Sequence, residues 1–211
     1  MTTIRDWRKV YDFWFPAGLD ADAARLREMF MWWFGGGSNA ALKPFAPLVA
    51  EARAGRLDDW CATALGRLAL IIVLDQFPRG LFAGTPEAYT GDAKALAIAE
   101  EGLRNGHFRS LAHDWEKTFF LMPLGHTEGP DHVERLTRVV AIAEEIARGA
   151  PEALKPLYVH SVSQARANLE LIAHFGRFPH RNAVLGRIST PEEQGYVAKG
   201  DFIHHRKPPP V

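Results

Sequence analysis

The chain has 211 residues, of which 47% are hydrophobic, and this is enough apolar material for a single well-buried domain. Lysine plus arginine and aspartate plus glutamate number 25 each, so no overall charge attracts nucleic acid or an acidic membrane surface. The single cysteine, Cys61, excludes an intrachain disulfide, and without a signal peptide or a long apolar run we expect a cytoplasmic protein that does not bind membranes.

Helical spacing of apolar residues begins in the first turns of the chain. The residues that share one face of the first predicted helix are Ile4, Trp7, Val10, Tyr11 and Trp14. Pro16 ends this helix, and Asp20 is a candidate cap for a second one. Three consecutive glycines at 35–37 then interrupt the second helix, because glycine releases the backbone.

Three further helix starts are predicted in the middle of the chain. Pro44 or Pro47 fits the first turn of a third helix, since proline is tolerated there. Asp58 or Asp59 is a candidate cap for a fourth helix, whose apolar residues indicate burial on most sides. Thr85, followed by a proline, indicates the start of a helix that continues to about residue 102.

The strongest start signal lies near the end of the chain. Thr190, Pro191 and Glu193 form a capping box, which predicts a short helix to about Lys199. Further helices are predicted over residues 110–122, 131–148 and 152–174.

Alternation of period two, bounded by turn residues, is not found anywhere in the sequence, so the predicted fold class is all-α. Short connections between successive helices favour stacked antiparallel helical hairpins. We expect one helical domain over residues 1–200 and a disordered tail over 201–211, which ends in H-H-R-K-P-P-P-V.

The segment from His174 to Thr190 contains three arginines and no acidic residue. These are Arg177, Arg181 and Arg187, and apolar neighbours such as Ile188 are expected to draw them inward. A buried ion without a partner costs several kcal/mol. The arginines therefore meet acids from elsewhere in the chain, reach solvent or bind an anionic ligand.

A second segment, D-Q-F-P-R from Asp75 to Arg79, also places Phe-Pro and an arginine after an apolar helix, where proline favours a sharp turn. We expect Asp75 to pair with an arginine of residues 177–187. If Asp92, Glu128 and Glu170 also converge on the arginines, the network closes and braces helix ends. Otherwise the surplus positive charge makes a pocket for phosphate or carboxylate.

His126 and Glu128 stand two residues apart and can serve as acid and base, or as metal ligands. Recognisable metal sites usually have two histidines at helical i,i+4 spacing or paired cysteines, and neither pattern is present. The prediction is therefore that the protein has no metal site and no cofactor.

Three motifs resemble the bacterial domain-of-unknown-function family numbered 924. They are L-I-I-V-L-D-Q-F-P-R, F-F-L-M-P-L-G-H-T-E and F-G-R-F-P-H-R-N-A-V-L-G-R-I-S-T-P-E-E. The resemblance implies an all-helical, tetratricopeptide-like fold and no established activity. The residues that match the family pattern are Asp75, Gln76, Phe77, Pro78, Arg79, His126, Glu128, Arg177, His180, Arg181, Asn182 and Arg187.

The chain departs from the family pattern at several polar positions, which indicates a divergent member and weakens the expectation of catalysis. The residues that stand at these positions are Gly80, Ala83, Thr127, Gly129 and Asn168.

These observations predict a polar groove that binds a small anionic ligand or an acidic peptide group. The residues expected to line it are Asp75, Arg79, Arg177, His180, Arg181, Asn182 and Arg187. One alternative is a hydrolase that uses His126, Glu128 and His180 as acid and base. Another is a purely structural or scaffolding role, since stacked hairpins commonly bind peptides on a concave surface.

Overall fold

The computed structural model describes residues 5–19 and 23–203. Within these ranges every regular element is a helix and no strand is present, which confirms the all-α fold class. The α-helices are α1 Trp7–Trp14, α2 Ala23–Phe34, α3 Ala46–Arg53, α4 Ala64–Ile71, α5 Phe77–Leu81, α6 Asp92–Arg104, α7 Asp114–His126, α8 His132–Gly149, α9 Lys155–Phe175 and α10 Pro191–Lys199. In the described ranges none of these helices has both the length and the apolar character needed to span a bilayer.

Helix α4 begins differently from the prediction. Thr63 caps it, because the Thr63 hydroxyl accepts a hydrogen bond of 3.1 Å from the backbone nitrogen of Gly66. The prediction of Asp58 or Asp59 as the cap is wrong, since both residues lie in a 3₁₀ turn that precedes the helix.

The predicted sharp turn at the first Phe-Pro pair is also wrong. Helix α4 runs on through a π-helical turn, Ile72–Gln76, directly into α5. The backbone nitrogen of Phe77 reaches the carbonyl of Ile72, five residues back, as in a π-helix. Pro78 lies in the first turn of α5.

Two other helix starts agree with the sequence prediction. Pro47 lies in the first turn of α3. At α10, the Thr190 hydroxyl accepts from the Glu193 nitrogen at 3.2 Å, and the Glu193 carboxylate accepts from the Thr190 nitrogen at 2.8 Å. The capping box is therefore confirmed, whereas the candidate cap Asp20 and the apolar Ile4 lie outside the described residues.

The helix predicted from Thr85 is divided in two. Residues Pro86–Tyr89 form a 3₁₀ turn, and α6 begins only at Asp92, with Gly91 as its N-cap. Helix α7 extends further than predicted, so His126 is the last residue of a helix and does not lie in a loop.

The main hydrophobic core surrounds α4 and the π-helical turn. Every residue from Leu68 to Leu74 is 0% exposed. Helix α4 packs against α1, α6 and α7, which together cover it. The uninterrupted apolar run is explained by this burial on all sides.

A smaller hydrophobic cluster lies between α8, α9 and the C-terminal segment, which comprises residues 176–203. Its buried members are Leu136, Leu171, Ile172, Phe178 and Ile203. Successive helices α6, α7, α8 and α9 pack as neighbours, while the regular stacking of a tetratricopeptide-like fold stays a prediction. Of the predicted tail, residues 204–211 lie outside the described residues.

Candidate functional site

Asp75 occupies the π-helical turn and is 0% exposed. Nδ1 of His126 lies 2.9 and 3.0 Å from its two carboxylate oxygens, and Nη1 of Arg79 lies 3.1 Å from one of them. The predicted pairing with an arginine of residues 177–187 is wrong, because α5 continues the helix and brings Arg79 within reach. Burial raises the pKa of Asp75, but Arg79 and His126 outweigh burial and hold it below its ordinary range.

Asp92 provides a second carboxylate for Arg79. Its two oxygens accept from Nη1 and Nη2 of Arg79 at 3.0 and 2.9 Å, which is the bidentate geometry of a strong ion pair. Glycine at position 91 lets the start of α6 approach the π-helical turn, because a Cβ at this position would lie 2.3 Å from the carbonyl oxygen of Leu74. Gly91 therefore marks the close contact between α6 and the π-helical turn.

Arg181 lies in a 3₁₀ turn, and only 7% of its side chain is exposed. Its Nη1 donates to the carbonyl oxygen of His126 at 2.8 Å, and the nearest carboxylate oxygen, on Asp92, is 3.6 Å away. Its Nε is buried and has no hydrogen-bond partner among the described residues. Burial and the neighbouring Arg79 lower the pKa of Arg181 to about 10, so this guanidinium is poorly neutralised.

Two aromatic rings cover the Arg181 guanidinium. Its central carbon lies 4.2 Å from the ring centre of Phe178 and 4.6 Å from that of Tyr89. Such contacts stabilise a cation only modestly and supply no hydrogen-bond acceptor. Tyr89 was missed by sequence reasoning, since nothing in its local pattern indicates a contact with residue 181.

Arg187 and Arg177 each have a carboxylate of their own. Glu128 accepts from both terminal nitrogens of Arg187 and, at 2.8 Å, from the backbone nitrogen of Phe178. Glu193 accepts from Nε and Nη2 of Arg177 at 2.7 and 2.8 Å. These two arginines therefore brace the C-terminal segment.

The acids that converge on the arginines are only partly those predicted. Asp92 and Glu128 take part as expected, whereas Glu170 is exposed and forms no ion pair with them. Glu193 was recognised as a capping residue but not as the partner of Arg177. One of its carboxylate oxygens, Oε1, accepts from Arg177, and the other, Oε2, accepts from both Arg177 and the backbone nitrogen of Thr190.

His180 and Asn182 do not join the group around Asp75. The ring of His180 packs against Phe178 and Phe202, at 5.4 and 5.6 Å between ring centres. The side-chain nitrogen of Asn182 donates to the hydroxyl of Ser189 at 3.0 Å. The seven predicted groove residues thus divide into a centre around Asp75 and a brace around residues 177–189.

The expected inward pull of the apolar neighbours holds for only part of the segment. Phe178 is buried, but Ile188 is 91% exposed. The backbone carbonyl of Ile188 accepts from Nη2 of Arg177 at 3.0 Å, and its side chain faces solvent.

Charges at the Asp75 centre balance when His126 is neutral. Arg79 and Arg181 carry two positive charges, and Asp75 and Asp92 carry two negative charges. Within the described part of the chain, no group of three or more His, Cys, Asp or Glu side chains is arranged to hold a metal ion. The side chains of this centre can donate and accept hydrogen bonds, bind charged groups and, at His126, transfer a proton.

Comparisons with known proteins agree with the resemblance seen in the motifs. The family described as bacterial proteins of unknown function (DUF924) matches residues 10–201. A solved structure described as a protein of unknown function, ATU0120 from Agrobacterium tumefaciens, is similar with a TM-score of 0.68 and 32% sequence identity. The match covers 92% of this chain and 97% of the Agrobacterium chain. No curated protein matches the sequence.

Proposed function

We propose, for a chain that belongs to the DUF924 family of bacterial proteins of unknown function, that Arg181 binds the anionic group of a small molecule or acidic peptide. The observation that carries this proposal is the shortage of acceptors around Arg181. Its nearest carboxylate, on Asp92, is 3.6 Å away and already forms two hydrogen bonds with Arg79.

A phosphate or carboxylate group matches what Arg181 lacks. A guanidinium has five N–H groups arranged for planar, bidentate acceptors, and Arg181 uses only Nη1 in a hydrogen bond within the described ranges. A bound anion would accept from Nη2, which has no hydrogen-bond partner among the described residues and is not one of the buried atoms without a partner, and it would offset the burial cost of the cation.

In this proposal the ligand contacts the centre around Asp75, to which Arg181 belongs, and does not contact the brace. Arg177 and Arg187 contribute to the fold through Glu193 and Glu128 and do not contact the ligand.

We expect phosphate, sulfate or citrate to raise the melting temperature of the wild-type protein in a saturable manner. An anion at a hundredfold excess over its dissociation constant stabilises the folded state by about 2.7 kcal/mol. Arg181→Met should abolish this response at matched ionic strength, because an apolar, unbranched side chain is retained while the charge and the N–H donors of the guanidinium are lost. Arg181→Lys should weaken it, since lysine cannot form the bidentate contact.

Arg166→Gln is the matched control. Arg166 is exposed and pairs with Glu144 at 2.6 Å, away from the Asp75 centre, so this variant should respond to anions as the wild type does. If Arg181→Met shows the same saturable shift as wild type and the control, the anions act elsewhere and the proposal is wrong.

A further inference from the structure

We propose that His126, oriented by Asp75, is the proton-transfer residue of a hydrolytic site that acts on small esters with a negatively charged group. The choice of substrate rests on the anion site proposed at Arg181. The role of His126 rests on separate observations at the Asp75 carboxylate.

Asp75 determines which nitrogen of His126 carries the proton. Both carboxylate oxygens lie 2.9–3.0 Å from Nδ1, and an ionised carboxylate can only accept a hydrogen bond. Neutral His126 therefore carries its proton on Nδ1 and has a lone pair on Nε2. This is the arrangement that a general base requires.

The Asp75 carboxylate is itself held in place. Arg79 lies 3.1 Å from one oxygen, and the side-chain nitrogen of Gln76 donates to the other. The backbone of His126 is fixed as well, because Arg181 donates to its carbonyl oxygen. The imidazole is thus positioned from both its ring and its main chain.

The opposite edge of the His126 ring is available to a substrate. The side chain is 29% exposed, and Nε2 has no hydrogen-bond partner among the described residues. Nε2 is also not one of the buried atoms without a partner, so it reaches solvent.

The charged groups around the ring are Asp75 and Arg79 on the continuous α4–α5 helix, Asp92 at the start of α6, and Arg181. Together they carry no net charge. A proton taken up by His126 therefore makes the centre positive, which favours an anionic substrate over a neutral one.

Water supplies the nucleophile in this proposal, because no serine, threonine or cysteine side chain in the described ranges forms a hydrogen bond with His126. Nε2 of His126 takes a proton from water while the water oxygen bonds to the carbonyl carbon of the ester. The bond to the leaving oxygen then breaks, and that oxygen receives the proton from Nε2. One water is consumed, and an acid and an alcohol are released.

The first test measures the tautomer of His126 by ¹⁵N NMR of the histidine rings, at a pH where the ring is neutral. His126→Gln removes and so assigns its signals. We expect a protonated Nδ1 and an unprotonated Nε2. A protonated Nε2 with an unprotonated Nδ1 would overturn the role assigned to Asp75.

The second test measures hydrolysis of mono-4-nitrophenyl terephthalate, whose carboxylate cannot reach its own ester carbonyl, against the neutral 4-nitrophenyl benzoate. We expect wild type to prefer the charged ester, and His126→Gln to lose about 100-fold or more of the rate. Added imidazole should restore part of the activity of His126→Ala. His174→Gln is the control, since His174 lies at the end of α9, is exposed, and contacts Glu192 in the first turn of α10.

Asp75→Asn tests whether Asp75 positions His126. We expect the proton to move from Nδ1 to Nε2 of His126 and the rate to fall. If this variant does not fold, the NMR measurement on wild type still tests the role of Asp75. Equal rates for wild type and His126→Gln on both esters would overturn the hydrolytic assignment, even with an anion bound at Arg181. A different result would contradict only the anion site. In that case the rate depends on His126, but wild type neither prefers the charged ester nor shows the anion-induced rise in melting temperature.

Discussion

Among single residues, Glu193 contacts two separate parts of the chain, Arg177 and the N-cap Thr190. Hydrogen bonds from Arg177, then from the Thr190 backbone, lower the pKa of Glu193 from 4.5 to about 2, although burial opposes the shift. A carboxylate whose pKa falls on folding stabilises the protein above its unfolded value, and this contribution is lost as the pH drops toward the folded value. The free energy of unfolding of wild type should therefore decrease more steeply between pH 4.5 and about 2 than that of Glu193→Gln. Urea titrations at pH 7, 4 and 2.5 measure both proteins, and parallel curves would show that this carboxylate does not couple to folding.

Among the elements, α6 lies unusually close to α4 and α7 at Gly102. A Cβ there would lie 2.4 Å from Cζ of Phe120 and 2.6 Å from Cδ of Arg67, and both side chains are buried. Gly102→Ala should therefore lower the free energy of unfolding by about 1–3 kcal/mol, because overpacking pushes the helices apart. Gly195, within α10, faces open space, and Gly195→Ala should raise the same quantity by about 0.5–1 kcal/mol through helix propensity alone. Chemical denaturation measures the free energy of unfolding of both variants. If Gly102→Ala is as stable as wild type or more stable, the close approach of the helices at Gly102 is contradicted.

Over the whole molecule, the C-terminal segment packs on the smaller hydrophobic cluster and is joined to the loop after α7 through Glu128. This carboxylate accepts from both Phe178 and Arg187, and hydrogen bonds to charged groups stabilise by about 1.5–3 kcal/mol. Glu128→Gln should therefore increase amide hydrogen exchange across residues 178–199 by about tenfold or more, while the amides of α4 remain protected. Mass spectrometry of the exchanged protein measures both regions at once. Uniformly faster exchange, with α4 included, would mean that the segment unfolds together with the main core.

Much of the fold could be predicted from local sequence. The 3.6-residue spacing, the proline at the start of α3 and the capping box at Thr190 act within one helix, so these elements were identified without knowledge of the neighbours. The burial of α4 followed from its uninterrupted apolar run. The π-helical turn was not predicted, because its backbone hydrogen bonds differ from those of an α-helix while its residue types do not.

The site was predicted as a set of residues, but its pairings were not. Asp75 meets His126 across 51 positions of sequence, and Glu128 meets Arg187 across 59. Local charge patterns indicated that the arginines need acids, but the distances that select each partner depend on how closely the helices pack. The sequence thus determined the helices and the demand for counter-charges, because both arise from neighbouring residues. The tertiary structure decided the partners, because ion pairs and hydrogen bonds require atoms within about 3–4 Å, and only packing sets those separations.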